Sequence, residues 1–594
     1  MNIRKIIVTT LAIALVAACA SAPKRSAPTV GDNYAFTADY LPELIRKKMQ
    51  ERKVVGLSIA IVDNQDVAWA EGFGFADKDK SIPATPETIY RAGSITKLFT
   101  ATAAMQLAES GKLDIDQPLQ NYLPEFSIRS RFVDTRPITL RDLMTHHSGL
   151  PSDLHNGSWG DDQADFTDLA TMLRDEYVAT PPNTIESYSN LGFSLLGHVI
   201  ERVSGTSYAD YVENRVLRPA GMQHAYISSN LNDDERRSQG YAKKKAQATP
   251  SLRDLPAGGL GSSVVDLARF AQMTFADGAH GGNQILRPET LAEMQSFQDT
   301  DGTFDVNPSV GLAWRLVDSW GDDAGVIAGH NGGTPMFHSE FLTLPKHKLA
   351  VVVLANTDTA AGVVHEIARE AMELALQSKT GIKRPERTEL KESLIPVQTD
   401  LERLPGYWST PMGLVRIQRK GDRLKFEVDG HKLNLVRRED GYYHLQYKLL
   451  GLVSINLGDM ARIGLGYRKM AGREVLGLYL NGKPRAIVAE KVAASPLPAN
   501  WSKFAGHYES VNTTGSIDMQ DVELKVEDGL LLVSSTVAID AIGMETSTDV
   551  LWPVSDNEAI THGLGRSKGE TVRFFEQDGK VMAAYSGFLL RRAD

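Results

Sequence analysis

The sequence predicts an α+β chain in which a domain with an antiparallel sheet flanked by a helical region precedes two all-β barrel-like or sandwich domains. Three observations lead there. From about Ala35 to Lys379, strand-like runs stand at both ends of the segment and helical runs fill the middle, as in a sheet assembled from both termini and covered by helices. After about Ile395 the helical period stops, and short alternating runs broken by "DG", "NG" and "GD" take over. That second region looks duplicated. "LERLPGYWS" at 401 answers "WSKFAGHYES" at 501, and "LYLNGKPRAIV" near 478 answers "RFFEQDGKVMAAY" near 573, so both spacings are near one hundred residues. A chain of 594 residues has room for roughly two to four domains.

Taken in order, residues 1–18 carry two basic residues, an apolar run and small residues, and read as a signal peptide. The run ends in Val16-Ala17-Ala18-Cys19, which resembles the lipobox of bacterial lipoproteins, with Cys19 lipidated and residues 19–34 as a tether. The resemblance implies a lipid anchor on the cell envelope, and Ala20 after the cysteine favours an outer membrane location facing the periplasm. Cys19 is the only cysteine, which excludes disulfides and thiolate metal sites. Within residues 35–380, "VGLSIAIVD" and "VAWAEGFGF" read as two neighbouring strands. In "KLFTATAAMQLAESGKL" the spacing of Leu98, Ala101, Met105 and Ala108 predicts a helix with one buried stripe, stopped at Gly111. "SEFLTLP", "LAVVVLAN" and the helical "GVVHEIAREAMELALQSK" close the domain. Residues 381–395 have the charge and proline of a linker, and 396–494 and 495–594 form the two β domains.

A formal charge of −10 with no long basic run argues against nucleic acid as a partner. No Walker or dinucleotide glycine pattern follows a strand, so no cofactor is expected. His146 and His147 lack the carboxylate or cysteine set that completes a metal site, so no metal is expected either.

The chemistry centres on Ser94 and Lys97, which the helical period places on one face, one turn apart. A lone S-x-x-K means little, since about two matches arise by chance in a chain of this size. Ser21-Ala-Pro-Lys24 is such a match, in the tether. Ser94 instead opens an apolar helix, where the dipole favours developing negative charge and a desolvated Lys97 can take the serine proton.

Ser94-x-x-Lys97, then Tyr188-Ser189-Asn190, then His330-Asn331-Gly332, in that order, resemble the serine beta-lactamase and penicillin-binding superfamily in its class-C-like branch. "ITLRDLMTHHSGLP", "YSNLGFSLLGHVIERVSG", "PAGGLGSSVVDLARF" and "GHNGGTPMF" resemble that branch too, over roughly residues 40 to 380. The resemblance implies a beta-lactamase-like first domain in which Ser94 is the acylated nucleophile and Lys97 and Tyr188 move the proton. It also implies that Asn190 orients Lys97 and a substrate amide. His330, Asn331 and Gly332 would lie on the strand lining the pocket, with Asn331 and Gly332 binding substrate. Gly333 would give an oxyanion N–H beside that of Ser94. Tyr188-Ser189-Asn190 also reads as a helix N-cap, and both readings can hold.

The substrate class implied is a small peptide, amide or ester, by resemblance to D-aminopeptidases and D,D-carboxypeptidases, which such paired β-domains accompany. A carboxylesterase, a weak beta-lactamase and a penicillin-binding sensor without turnover are the alternatives. The sequence leaves open whether the β domains contact the pocket or a cell-envelope component. Lys379-Thr380-Gly381 matches the carboxylate-holding triplet of true lactamases, but its position after the closing helix assigns it to a helix cap.

Overall fold

The computed structural model describes residues 28–384 and 397–593, apart from 162–163, 232–233, 299, 301, 307–308, 318–319, 429–430, 450–452, 456–462, 481, 494–496 and 540–542. The signal segment, Cys19 and most of the linker lie outside the described residues.

The first domain is built on a seven-stranded antiparallel sheet drawn from both ends of its sequence. Its order is Arg315–Val317, Ile327–Gly333, His338–Leu344, Leu349–Ala355, Gly56–Asp63, Asp66–Asp77 and Ile82–Pro83. The central strands are apolar without alternation because both faces are covered. Leu57, Ile59 and Ile61 face one core with the helices Tyr40–Arg52 and Ala361–Thr380, while Ala60 and Val62 face the other, larger core with the helical region. Leu349–Ala355 divides in the same way, Val351 and Val353 to one side and Val352 and Leu354 to the other.

The helix Thr96–Glu109 departs from the single stripe that its spacing predicts. Every residue from Thr96 to Met105 is buried. It runs through the centre of the domain, packed by Asn190–Ser204, Leu255–Gly258 and Val264–Phe275. Its alanines and threonines are what let neighbours close in on all sides.

Both C-terminal domains are eight-stranded antiparallel barrels. In the first, Gly406–Thr410 pairs with Lys483–Lys491, and His431–Arg437 with Tyr443–Leu449, closing the ring, and Val453–Ile455 adds to its outside. In the second, Gly506–Ser510 pairs with Phe588–Arg592. The duplication is visible in the opening strands. The Trp408 indole N–H donates to the Leu404 carbonyl at 2.9 Å, and the Tyr508 hydroxyl donates to the Phe504 carbonyl at 2.6 Å, the same lock across four residues. The other match slips by one strand. Arg473–Leu480 and Lys483–Lys491 are the last two staves of the first barrel, whereas Thr571–Gln577 and Lys580–Tyr585 are the sixth and seventh of the second. A turn of Asn-Gly or Asp-Gly type marks any tight hairpin, so it carries no register.

Candidate active site

Ser94 lies in a single 3₁₀ turn, Gly93–Ile95, ahead of its helix. Several bonds fix this turn. The Ala92 N–H donates to the Leu260 carbonyl at 2.8 Å, the Thr96 hydroxyl donates to the Gly93 carbonyl at 2.6 Å, and the Ser339 hydroxyl donates to the Ala92 carbonyl at 2.7 Å. Gly93 has φ +57, and a Cβ on it would lie 2.9 Å from the Gly333 nitrogen. The strand Ile327–Gly333 therefore runs in contact with the serine turn.

Lys97 is fully buried, while Ser94 keeps part of its surface open to the cleft. Lys97 Nζ lies 3.2 Å from Ser94 Oγ, 2.8 Å from Asn190 Oδ1 and 2.8 Å from the Ala257 carbonyl oxygen. Burial lowers its pKa from the ordinary lysine value, against the attraction of Tyr188 and Asp153. The Tyr188 ring centroid is 4.9 Å from Lys97 Nζ. The Tyr188 ring packs at a tilt against His146, 4.2 Å between centroids, and the Ser189 backbone N–H donates to His146 Nδ1 at 3.1 Å. Burial holds His146 well below the usual histidine range, so it braces the tyrosine as a neutral ring. Ser189 caps the helix Asn190–Ser204, its hydroxyl accepting from the Gly192 N–H. The cap and the site are thus built from one tripeptide.

His330 is buried 6.2 Å from the Tyr188 ring. Burial and the neighbouring Lys97 and Arg315 push its pKa down to about 3, leaving it neutral. Asn331 is exposed, and strand alternation turns its side chain away from the face that His330 and Gly332 share. Gly332 is buried. A Cβ there would lie 2.0 Å from the Ala92 carbonyl oxygen, so this glycine permits close approach of two backbones. Gly333 lines the cleft together with Ser94 and Asn190. Lys379 sits at the far end of its helix, with Nζ donating to Asp63 at 2.5 Å and to the His347 carbonyl at 2.7 Å.

The residues that the motifs do not reveal come from elsewhere in the chain. Asn190 Nδ2 donates to Asp153 Oδ1 at 2.7 Å, and Asp153 Oδ2 accepts from Arg566 of the second barrel at 2.9 Å. Burial alone would raise the Asp153 carboxyl, but Arg566, His155 and the Asn190 amide hold it at about 2. The Arg566 guanidinium lies 5.2 Å from the Tyr188 ring, and that of Arg315, paired with Glu186, lies 5.6 Å from it. Arg566 belongs to the loop 562–570, whose glycines and length between two strands are its only trace in the sequence. The same loop docks by backbone: the Ser567 N–H donates to Ser152 Oγ at 2.8 Å, and the Ser152 N–H donates to Glu570 at 2.9 Å.

A serine beside a buried lysine and a tyrosine, set between a sheet edge and a helical region, is an arrangement whose chemistry suits acyl transfer. The chain belongs to the beta-lactamase family, whose profile matches residues 41–376. It is similar to the unguisins hydrolase ungD' of Aspergillus campestris (strain IBT 28561), 28% identical over 335 residues that cover 53% of this chain and 61% of that protein. It is also similar to protein flp of Staphylococcus aureus (strain MRSA252), 27% identical over 326 residues that cover 53% and 62%. The chain thus spans about three fifths of the length of these curated relatives. A crystal structure of SurE with D-Leu matches with a TM-score of 0.54 at 21% identity, over 75% of this chain and 98% of that one, a likeness of fold.

Proposed function

We propose that the protein forms an acyl-enzyme on Ser94 and cleaves amide or peptide bonds in the manner of D-aminopeptidases or D,D-carboxypeptidases, with simple esters as further substrates. One observation carries the reading: a buried lysine 3.2 Å from the hydroxyl of Ser94, with two acceptors besides that oxygen. Once neutral, Lys97 takes the serine proton as Oγ attacks the carbonyl carbon. The oxyanion forms against the Ser94 and Gly333 N–H groups, and Tyr188 relays the proton to the leaving amine. Water then attacks the ester by the reverse route. A carboxylesterase is the second reading, favoured by a neutral His330 where a substrate carboxylate would need a cation.

A screen of the purified protein over D- and L-peptides, short esters and a chromogenic lactam separates these readings. We expect slow or absent lactam turnover. A burst without steady state would instead make the protein a penicillin-binding sensor. Ser94→Ala is expected to lose turnover and fluorophosphonate labelling while keeping its melting temperature. An adduct on the alanine variant, seen by intact mass, would move the nucleophile elsewhere.

A further inference from the structure

The cleft does not end at the catalytic domain. A single cavity of about 810 Å³ is lined at one end by Ser94, Asn190 and Gly333 and at the other by the interior of the second barrel. Along the strand Leu530–Ile539, residues Val533, Ser535 and Val537 line this cavity and stay partly exposed, whereas the alternate Thr536 and Ala538 are buried. Inward side chains that retain exposed surface mean an unfilled lumen. Its walls are mostly apolar, with Ile517, Met519 and Leu524 on the strand hydrogen-bonded beside it, and Ser535, Thr546 and Ser547 as polar interruptions. The far end is plugged by Trp501, Phe504 and Phe574, whose rings pack at 4.7 to 5.6 Å. The wall carries a polar patch beside Val533, where a buried Lys568 pairs with Asp549, and the Tyr585 hydroxyl donates to Glu570 at 3.0 Å. Met412, 81% exposed, adds an apolar lip from the first barrel.

A barrel of eight strands is of the size that can enclose one small ligand, and the volume lies in the range of ligand sites. A blind, mostly apolar tube that opens on a polar cleft suits an apolar chain with a polar head. We propose that the lumen of the second barrel binds the fatty acyl chain of an acylated substrate, whose carbonyl is thereby presented to Ser94. The acyl-transfer half rests on Ser94 as nucleophile; the binding half does not.

The test separates the two. The full-length Ser94→Ala protein, which cannot turn over, is titrated with dansyl-labelled undecanoic acid, and dodecanoate is added as competitor. Saturable, displaceable fluorescence is expected, and Val537→Trp, which fills the tube, should weaken it at least tenfold. Ser535→Phe serves the same end should the tryptophan variant melt early. With Ser94 intact, the ratio of kcat/KM for p-nitrophenyl dodecanoate to that for the acetate should fall at least tenfold in the same variants. Absence of saturable binding, or equal binding by a folded Val537→Trp protein, overturns the site. Binding with an unchanged dodecanoate-to-acetate ratio overturns its link to Ser94. Binding that persists where no serine adduct ever forms strikes the nucleophile and leaves the lumen standing.

Discussion

At the residue scale, the proposed chemistry turns on the protonation of Lys97. With the neutral amine as the proposed base, kcat/KM should rise with pH through a single inflection below the ordinary lysine value of 10.5, because burial disfavours the cation. The sign for stability is the same. Between its lowered folded pKa and 10.5 the unfolded chain binds this proton and the folded chain does not, so raising pH through that window adds stability. A pH profile flat up to 10 would show that Lys97 is not the titrating base. Lys97→Arg keeps a permanent cation and should cost roughly 10² to 10⁴ in rate. His330 and Lys379 give a paired comparison. Removing the buried imidazole behind Tyr188 by His330→Ala should cut kcat/KM about tenfold, roughly 1.4 kcal/mol of transition-state stabilisation. Lys379→Ala breaks a pair with Asp63 and a bond to the His347 carbonyl, both remote from the cleft, and should leave kcat/KM within about twofold. Steady-state kinetics on both variants checks the assignment, and the reverse order would place the pocket on another strand.

At the element scale, the strand Ile327–Gly333 and the serine turn are set by small residues rather than by side-chain interlocking. Gly332 faces the Ala92 carbonyl at a distance that no Cβ tolerates, and Ser339 holds the same carbonyl from the next strand. Gly332→Ala must push the strand off the turn and carry the Gly333 N–H with it. A loss of about 10² in kcat with little change in KM is expected, the mark of a contact made in the transition state. Normal kcat in this variant would remove Gly333 from the oxyanion site. The helix Thr96–Glu109 makes a related point. Buried without a break from Thr96 to Met105, it holds Lys97 and the turn that carries Ser94 in packed surroundings.

At the scale of the whole molecule, the second barrel reaches the candidate site. Arg566 holds Asp153, Asp153 holds the Asn190 amide, and that amide presents its oxygen to Lys97. Close backbone contact keeps the barrel there: Gly160 and Gly515 meet so tightly that a Cβ on Gly515 would lie 1.9 Å from the Trp159 carbonyl oxygen. Arg131 adds bonds to Glu558 at 2.9 Å and to Thr571 at 2.6 Å. Arg566→Ala leaves Asp153 buried without its guanidinium partner, so kcat/KM should fall about ten- to hundredfold, with Arg566→Lys recovering part of it. Because Arg566 acts through two other residues, the informative readout is the inflection in the pH profile, which should shift with the loss of the Asp153 charge balance. An unmoved inflection would reduce Arg566 to a docking contact.

The sequence alone determined the α+β class and the two β domains, because period and turn chemistry are local properties of a chain, and its ordered motifs at Ser94, Lys97, Tyr188, Asn190 and His330 carried the resemblance to a known family. The buried environment of the helix Thr96–Glu109 was not local: its stripe marked one packed face, and only the surrounding helices showed that all faces were packed. Nor was strand register in the barrels, since a tight turn labels a hairpin without saying which staves it joins. Asp153 and Arg566 lie 413 residues apart, in stretches that carry no motif, and their pairing exists only once the second barrel is seated on the cleft. The joining of that barrel's lumen to the cleft belongs to the same class of fact. Charges and cavities that meet across domains are decided by packing, which couples residues by distance in space and leaves no period in the sequence to read.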